Sequence, residues 1–208
     1  MRIGIVGVGN MGSAFARRLA AAGHTVTVSA SDVRHAEKVA RSSGETVRAV
    51  PRGELASTAE LLILATPYGA AVDALRNVGD IAGKPVIDIT NPMTADMSGL
   101  AVGLTSSAAE EIQRAIPSAK VVKAFNTIFA QILGSEPGSN RPQVFYAGDD
   151  EAARQSVRAL IESSGFEPVD AGALKNARYL EPLGMLNIYL GYTAGRGTGQ
   201  APAWIPVR

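Results

Sequence analysis

Met1-Arg-Ile-Gly-Ile-Val-Gly-Val-Gly-Asn-Met-Gly12 opens the chain, an apolar run over residues 2–6 that meets glycines at 7, 9 and 12. The run reads as a short buried strand, and the helical-looking segment 11–22 follows at once, ending at Ala22-Gly23. Strand, GxGxxG and helix in that order form a cradle for a dinucleotide pyrophosphate. Gly7 makes the tight turn, Gly9 lets the backbone approach the phosphates, and Gly12 lets the helix pack on the strand. With Gly9 and Gly12, Asn10 and Met11 belong to the helix start, where unpaired N–H groups and the helix dipole favour an anion.

Outward from this motif the pattern repeats. Short Val-, Ile- and Leu-rich runs recur at 25–29, 46–50, 61–65, 85–89 and 120–124, with helical segments such as 32–42 between most of them. Near-continuous apolar strands separated by helices predict a parallel sheet covered on both faces, an α/β doubly wound (Rossmann-type) fold. Residues 134–142 (GSEPGSNRP) predict a loop, 143–148 a strand, 150–164 a helix capped by Asp149 or Asp150, and 166–170 a further strand. From 173 to about 192 runs a helix candidate that Pro182 and Gly184 are expected to kink or break, and a Gly/Pro-rich irregular tail follows. Residues 1–172 are thus expected to form the nucleotide-binding domain, and 173–208 a helical extension packing on it.

Composition narrows the function. The 208 residues are 46% hydrophobic and 19% charged, the reverse of a disordered chain. A formal net charge of +1 gives no field for nucleic acid or an anionic membrane surface. With no cysteine there are no disulfides, thiolate zinc sites, iron–sulfur clusters or cysteine nucleophiles, and the two histidines, His24 and His35, leave little for a metal. No apolar stretch reaches the length of a membrane span, and no signal-peptide pattern is present, so a soluble, cytoplasmic protein is expected.

The end of the second strand bears on which dinucleotide is bound. NAD enzymes usually place an acid there for the ribose 2′-hydroxyl. Here the strand ends Val28-Ser29-Ala30-Ser31, and Asp32, two positions later, reads equally well as a helix N-cap. Ser29, Ser31, Arg34 and His35 supply hydroxyls and positive charge suited to a 2′-phosphate, which favours NADP(H). Ligands of open α/β sheets lie outside the carboxyl ends of the strands. Thr66-Pro67 and Asn91-Pro92, at two such ends, are therefore expected against the nicotinamide ribose and the nicotinamide half. Phe125-Asn126-Thr127, at a third, is expected where a second ring stacks.

IGIVGVGNMG, the strand ends LATP and DITNP, the segment SSAAEEIQRAIP, VVKAFNT, the AGDD turn and DAGALKNARYLEPLG together carry a family resemblance over nearly the whole chain. The chain resembles the NADPH-dependent reductases of coenzyme F-420 (F420), an 8-hydroxy-5-deazaflavin. It is also similar to the reductase domain of the six-transmembrane metalloreductases and to bacterial dinucleotide-binding oxidoreductases. The resemblance implies a Rossmann domain with a short helical C-terminal part, commonly homodimeric, that moves hydride between NADPH and a flavin-like ring. Family members often carry Ser-Arg where this chain has Ala30-Ser31, the Arg gripping the 2′-phosphate, which leaves Arg34 as the substitute. The archaeal reductases carry His-Thr-Ile beside the deazaflavin where this chain has Phe125-Asn126-Thr127-Ile128. The metalloreductase-like domains share the Phe-Asn pair and use an ordinary flavin, FMN or FAD.

Hydride transfer between two stacked rings needs little acid–base help, and no catalytic dyad is visible. His24 precedes the second strand, far from the crevice, and Lys123 lies within a strand. Tyr179, Glu181, Met185, Asn187 and Tyr189 recur at helical spacing and read as core or dimer contact. Two other functions stay open: an NAD(P)-dependent reductase of a small carbonyl or imine, which lacks the expected Lys, and a non-catalytic NADP-binding redox sensor.

Overall fold

Each apolar run presents large side chains to both sides of its backbone, and only a sheet covered on two faces buries them all. In the computed structural model, which describes residues 1–136, 138 and 141–207, the runs form one eight-stranded sheet. Pro137, Ser139 and Asn140, within the loop expected over 134–142, and Arg208 in the tail lie outside the described residues. The strands are β1 (Arg2–Val6), β2 (Thr25–Ser29), β3 (Val47–Ala49), β4 (Leu61–Leu64), β5 (Pro85–Asp88), β6 (Lys120–Ala124), β7 (Gln143–Gly148) and β8 (Glu167–Asp170). Their spatial order is β3-β2-β1-β4-β5-β6-β7-β8. Neighbours are parallel except at β6 and β7, where the chain direction reverses.

The helices are α1 (Asn10–Ala21), α2 (Val33–Ser43), α3 (Leu55–Thr58), α4 (Tyr68–Arg76), α5 (Ala108–Ala115), α6 (Ala130–Gly134), α7 (Glu151–Ser163) and α8 (Ala177–Ile188). Alternate strand residues feed two separate cores. On one face Ile3, Ile5, Val26 and Ile63 pack with Phe15 and Leu19 of α1, Val39 of α2 and Val157 and Leu160 of α7. On the other, Val6, Leu62 and Leu64 pack with Leu55 of α3, Leu75 of α4 and Ile112 of α5. Side-chain caps fix several helix starts: Asp32 accepts from the N–H groups of Arg34 and His35, Ser107 from Glu110, and Asp150 from Ala153. Asp150 is thus the cap of α7, while Asp149 accepts from Leu174 N.

Of the kink or break expected at Pro182 and Gly184, the break does not occur, because α8 runs through both. A proline inside a helix removes one backbone hydrogen bond and crowds the preceding turn. Tertiary bonds on either side offset that cost: Asn126 Nδ2 donates to Leu180 O at 2.7 Å, and Asn187 Nδ2 donates to Thr127 O at 3.0 Å. The irregularity falls beyond Ile188, where Tyr189–Thr193 widens into a π-turn. The tail then returns to the start of β7, where the Gln143 side-chain amide pairs with both the N–H and the C=O of Trp204.

Candidate functional site

The connections leave in opposite directions from β1 and β4, toward α1 on one face and α4 on the other, so the carboxyl ends of these two strands diverge over an open crevice. A cavity of about 570 Å³ occupies it, lined by Gly7-Val8-Gly9, by Ala30, Ser31, Asp32 and His35 beyond β2, by Arg52, and by residues 65–67 beyond β4. Gly7 has φ +98°, and a Cβ there would stand 2.5 Å from Ala65 O. A Cβ on Gly12 would stand 1.9 Å from Gly7 O, so the helix can lie this close to the strand only with glycine at that place. Gly9 differs: nothing lies within 4 Å of a Cβ built on it, so a side chain would project into open space at the cavity wall. It precedes α1, whose first turn holds no acidic residue and whose leading N–H groups have no intrahelical partner. Thr66 Oγ1 and Ser29 Oγ are buried with no hydrogen-bond partner among the described residues. A cradle that only glycine leaves open, facing unpaired donors and orphaned hydroxyls, fits a phosphate-bearing nucleotide.

A second cavity, of about 250 Å³, lies at the ends of β5 and β6. Asn10 and Met11 of α1 form one wall; Asn91, Phe125, Asn126, Thr127, Phe129, Asn187 and Tyr192 contribute much of the rest. Asn91 and Asn126 lock together. Asn126 Nδ2 donates to Asn91 Oδ1 at 3.0 Å, and Asn91 Nδ2 donates to Asn126 O at 2.8 Å. Gly184 of α8 lies against this pair, and a Cβ on it would come within 2.5 Å of Asn91 Oδ1. Asn126 Oδ1 remains buried and unpartnered among the described residues. Phe125, at φ +61°, turns the chain as β6 ends, in a conformation non-glycine residues rarely adopt. Edge-on contacts of its ring with Phe15 and Phe166 hold it there. No Asp, Glu, His, Lys or Arg among the described residues lines this cavity.

Beneath the amide pair is a buried charge cluster. Lys123 Nζ lies 2.9 Å from Asp88 Oδ2 and 2.8 Å from Glu181 Oε1 and also donates to Thr90 O. Glu181 further accepts from the N–H groups of Ala108 and Ala109, which joins α8 to the start of α5. Burial raises the Glu181 carboxyl above the usual range, with Lys123 opposing. Nearby, burial and the Glu111 carboxylate push the Tyr68 phenol up to about 12, so it stays protonated at physiological pH. Tyr68 lines neither cavity.

Of the residues expected from sequence, Gly7, Gly9, Ser31, Thr66 and Pro67 line the larger cavity, and Asn10, Met11, Asn91, Phe125, Asn126 and Thr127 the smaller. Gly12, Ser29 and Pro92 are buried beside them without lining either. Arg34 is exposed on α2 and lies on neither wall. Sequence reasoning did not single out Arg52, whose signal was its place just beyond the third strand. It read Asn187 as core or dimer contact and did not single out Tyr192, although both line the smaller cavity.

Comparison with known proteins agrees with this architecture. Residues 2–92 match the family described as NADP oxidoreductase, coenzyme F420-dependent. The F420-dependent NADP reductase of Methanothermobacter marburgensis is 32% identical over 206 residues, covering 91% of this chain and 92% of that protein. The metalloreductase STEAP3 of Rattus norvegicus is 30% identical over 183 residues, covering 88% of this chain but 36% of the rat protein. A crystal structure from Arthrobacter sp. FB24, assigned as an F420-dependent NADP reductase, superimposes with a TM-score of 0.83 at 29% identity, covering 95% of this chain and 96% of that one. Near-complete coverage at this identity, on a sheet that opens a glycine-walled crevice beside a second cavity, establishes that the chain belongs to the coenzyme F420-dependent NADP oxidoreductase family.

Proposed function

We propose that this NADP-dependent oxidoreductase moves hydride between NADP(H) in the larger cavity and the deazaflavin ring of F420 in the smaller one. The observation that carries the reading is the chemistry of the smaller cavity: it has amides, the Thr127 hydroxyl, the Tyr192 phenol and aromatic walls, and no Asp, Glu, His, Lys or Arg among the described residues. Bound NADPH supplies the hydride and the deazaflavin ring accepts it, which needs distance, facing and exclusion of water rather than a proton relay. Reduction of a small carbonyl would instead call for a proton donor beside the oxygen, a part that among the lining side chains falls to the Tyr192 phenol or the Thr127 hydroxyl rather than to a His or Lys.

The chain's own residues divide the work. Gly7, Gly9 and Gly12 keep the backbone clear, and the first N–H groups of α1, at Asn10, Met11 and Gly12, hold the pyrophosphate. Thr66 and Pro67 take the ribose on the nicotinamide side, and Ser29 and Ser31 lie toward the adenosine end. Asn91, followed by Pro92, and Asn126, fixed by one another and by the Leu180 carbonyl, orient the nicotinamide at the boundary of the two cavities. Asn126 Oδ1 is the acceptor left for a ring amide. Phe125 and Thr127 complete the acceptor wall. A second copy of the chain is expected against the exposed face of α8, giving a homodimer, and the use of diffusible NADP(H) puts the protein in the cytoplasm.

The test is to add F420, FMN, FAD or small ketoacids to the purified protein with NADPH and follow the nicotinamide absorbance. Oxidation with F420 alone is the expected result. Oxidation with FMN or FAD assigns an ordinary flavin acceptor, oxidation with ketoacids alone assigns a carbonyl reductase, and binding without turnover assigns a sensor; any of the three overturns the F420 reading.

A further inference from the structure

The adenosine end of the larger cavity carries a charged group that the family's motif does not assign. β3 pairs with β2 so that Ala49 is abreast of Val28, and Val50 N donates to Val28 O at 3.0 Å. Three residues beyond β3, Arg52 lines the larger cavity together with Ala30 and Ser31 from the end of β2. Pro51, at φ −55°, starts a tight turn over Arg52–Glu54. That turn rests on Gly79, where a Cβ would stand 2.5 Å from Gly53 O. The backbone that carries Arg52 is thus fixed on both sides.

Arg52 is half-buried and is the only Arg or Lys among the described residues that line the cavity. Its guanidinium makes no hydrogen bond or ion pair among the described residues. Two other polar groups of the cavity are engaged: His35 Nε2 meets Val8 O at 3.1 Å, and Asp32 Oδ1 caps α2 by accepting from Arg34 and His35 N–H. An acid committed to a helix cap has less to offer ribose hydroxyls, while a guanidinium carried on a fixed turn and lining the same cavity as Ser31 suits a phosphate dianion.

We propose that Arg52, rather than Arg34, is the residue that selects a 2′-phosphorylated dinucleotide. The inference rests on the larger cavity being the nucleotide site. Titrating NADPH and NADH into the full chain, by nicotinamide fluorescence or calorimetry, tests it in wild type, R52A, R52K, R34A and the exposed control R48A. Expected is a loss of about ten- to a hundredfold in NADPH affinity for R52A, with NADH affinity changed less than about twofold and R52K between wild type and R52A.

Equal losses for both dinucleotides in R52A, no loss for either, or a selective NADPH loss in R34A alone would overturn the assignment. So would a wild type that prefers NADH. Each of those results leaves the nucleotide site standing, whereas a wild type that binds neither dinucleotide removes the site itself. Should R52A fail to fold, R52K and R52Q carry the same comparison.

Discussion

Three glycines in one hexapeptide meet three different physical demands, and substitution should separate them. Gly12→Ala drives a Cβ into Gly7 O at 1.9 Å, so it is expected to cost about 1–3 kcal/mol of stability and to lower Tm, through overpacking against backbone. Gly9→Val meets nothing within 4 Å, so the fold should melt unchanged while NADP(H) binding is lost; calorimetry and a binding titration together show the contrast. A shared drop in Tm would place Gly9 in packing instead. Gly184→Ala is a third case, because its Cβ meets Asn91 Oδ1 and Asn126 Nδ2, and turnover should fall more steeply than dinucleotide affinity. The motif glycines were legible because the sequence pattern encodes their spacing. Gly184 was not, since its reason lies in two strand ends far away in the chain. His24 makes a pH prediction. Burial lowers its pKa, and its ring bonds Ser163 Oγ at 2.9 Å. A depressed histidine pKa favours the unfolded state once that state takes up a proton, so its contribution is fully present above about pH 6.5 and is lost progressively as pH falls from there through the lowered folded-state value. Chemical denaturation at about pH 7.5 and about pH 5.5 should show a steeper loss for wild type than for His24→Gln.

At the scale of elements, strands could be read to within a residue at their ends because a buried parallel strand is an unbroken apolar run bounded by turn residues. That the C-terminal helix continues through Pro182 was not legible because local propensity says nothing about partners, and its partners are Asn126, Thr127, Ala108 and Lys123. Lys123 is the strongest of these links. It lies fully buried between Asp88 of β5 and Glu181 of α8, so one ammonium ties two elements to β6. Removing the cation leaves two carboxylates facing one another in a dry site, and breaking a buried pair from one side costs about 3–5 kcal/mol. Lys123→Met is therefore expected to lower the denaturant midpoint strongly. Glu181→Gln should cost less, since an amide oxygen can still accept from Ala108 and Ala109 and Lys123 keeps Asp88. Equal costs for the two would mean that the cluster contributes through packing rather than charge. A lysine within an apolar strand was visible in the sequence, but its acidic partners, from β5 and from α8, were brought to it only by the fold.

At the scale of the whole molecule, the order of strands decides what each connection can reach. Placing β3 beside β2 brings Arg52 to the nucleotide cavity, and reversing β7 brings Gln143 round to hold the tail at Trp204. Neither juxtaposition has a local signal, which is why the doubly wound class was legible and these contacts were not. The same architecture leaves one face of α8 and its π-turn uncovered: Tyr179 and Leu186 of α8 and Tyr189 at the start of the turn, spaced at seven and three, are 72%, 52% and 51% exposed. Tyr192, in the π-turn beyond, lines the smaller cavity and is 64% exposed, with its ring edge-on to Phe129. A two-fold contact through this face would bury the same residues on both copies and wall off the open side of the acceptor cavity. Light scattering is therefore expected to give twice the chain mass for wild type and a single chain mass for Leu186→Glu combined with Tyr189→Glu. The monomeric variant should keep its NADPH affinity, because the larger cavity lies across the sheet at β1 and β4, while its KM for F420 rises several-fold. A monomeric wild type, or a monomeric variant with unchanged KM, would show that α8 meets solvent and that one chain builds the acceptor wall alone.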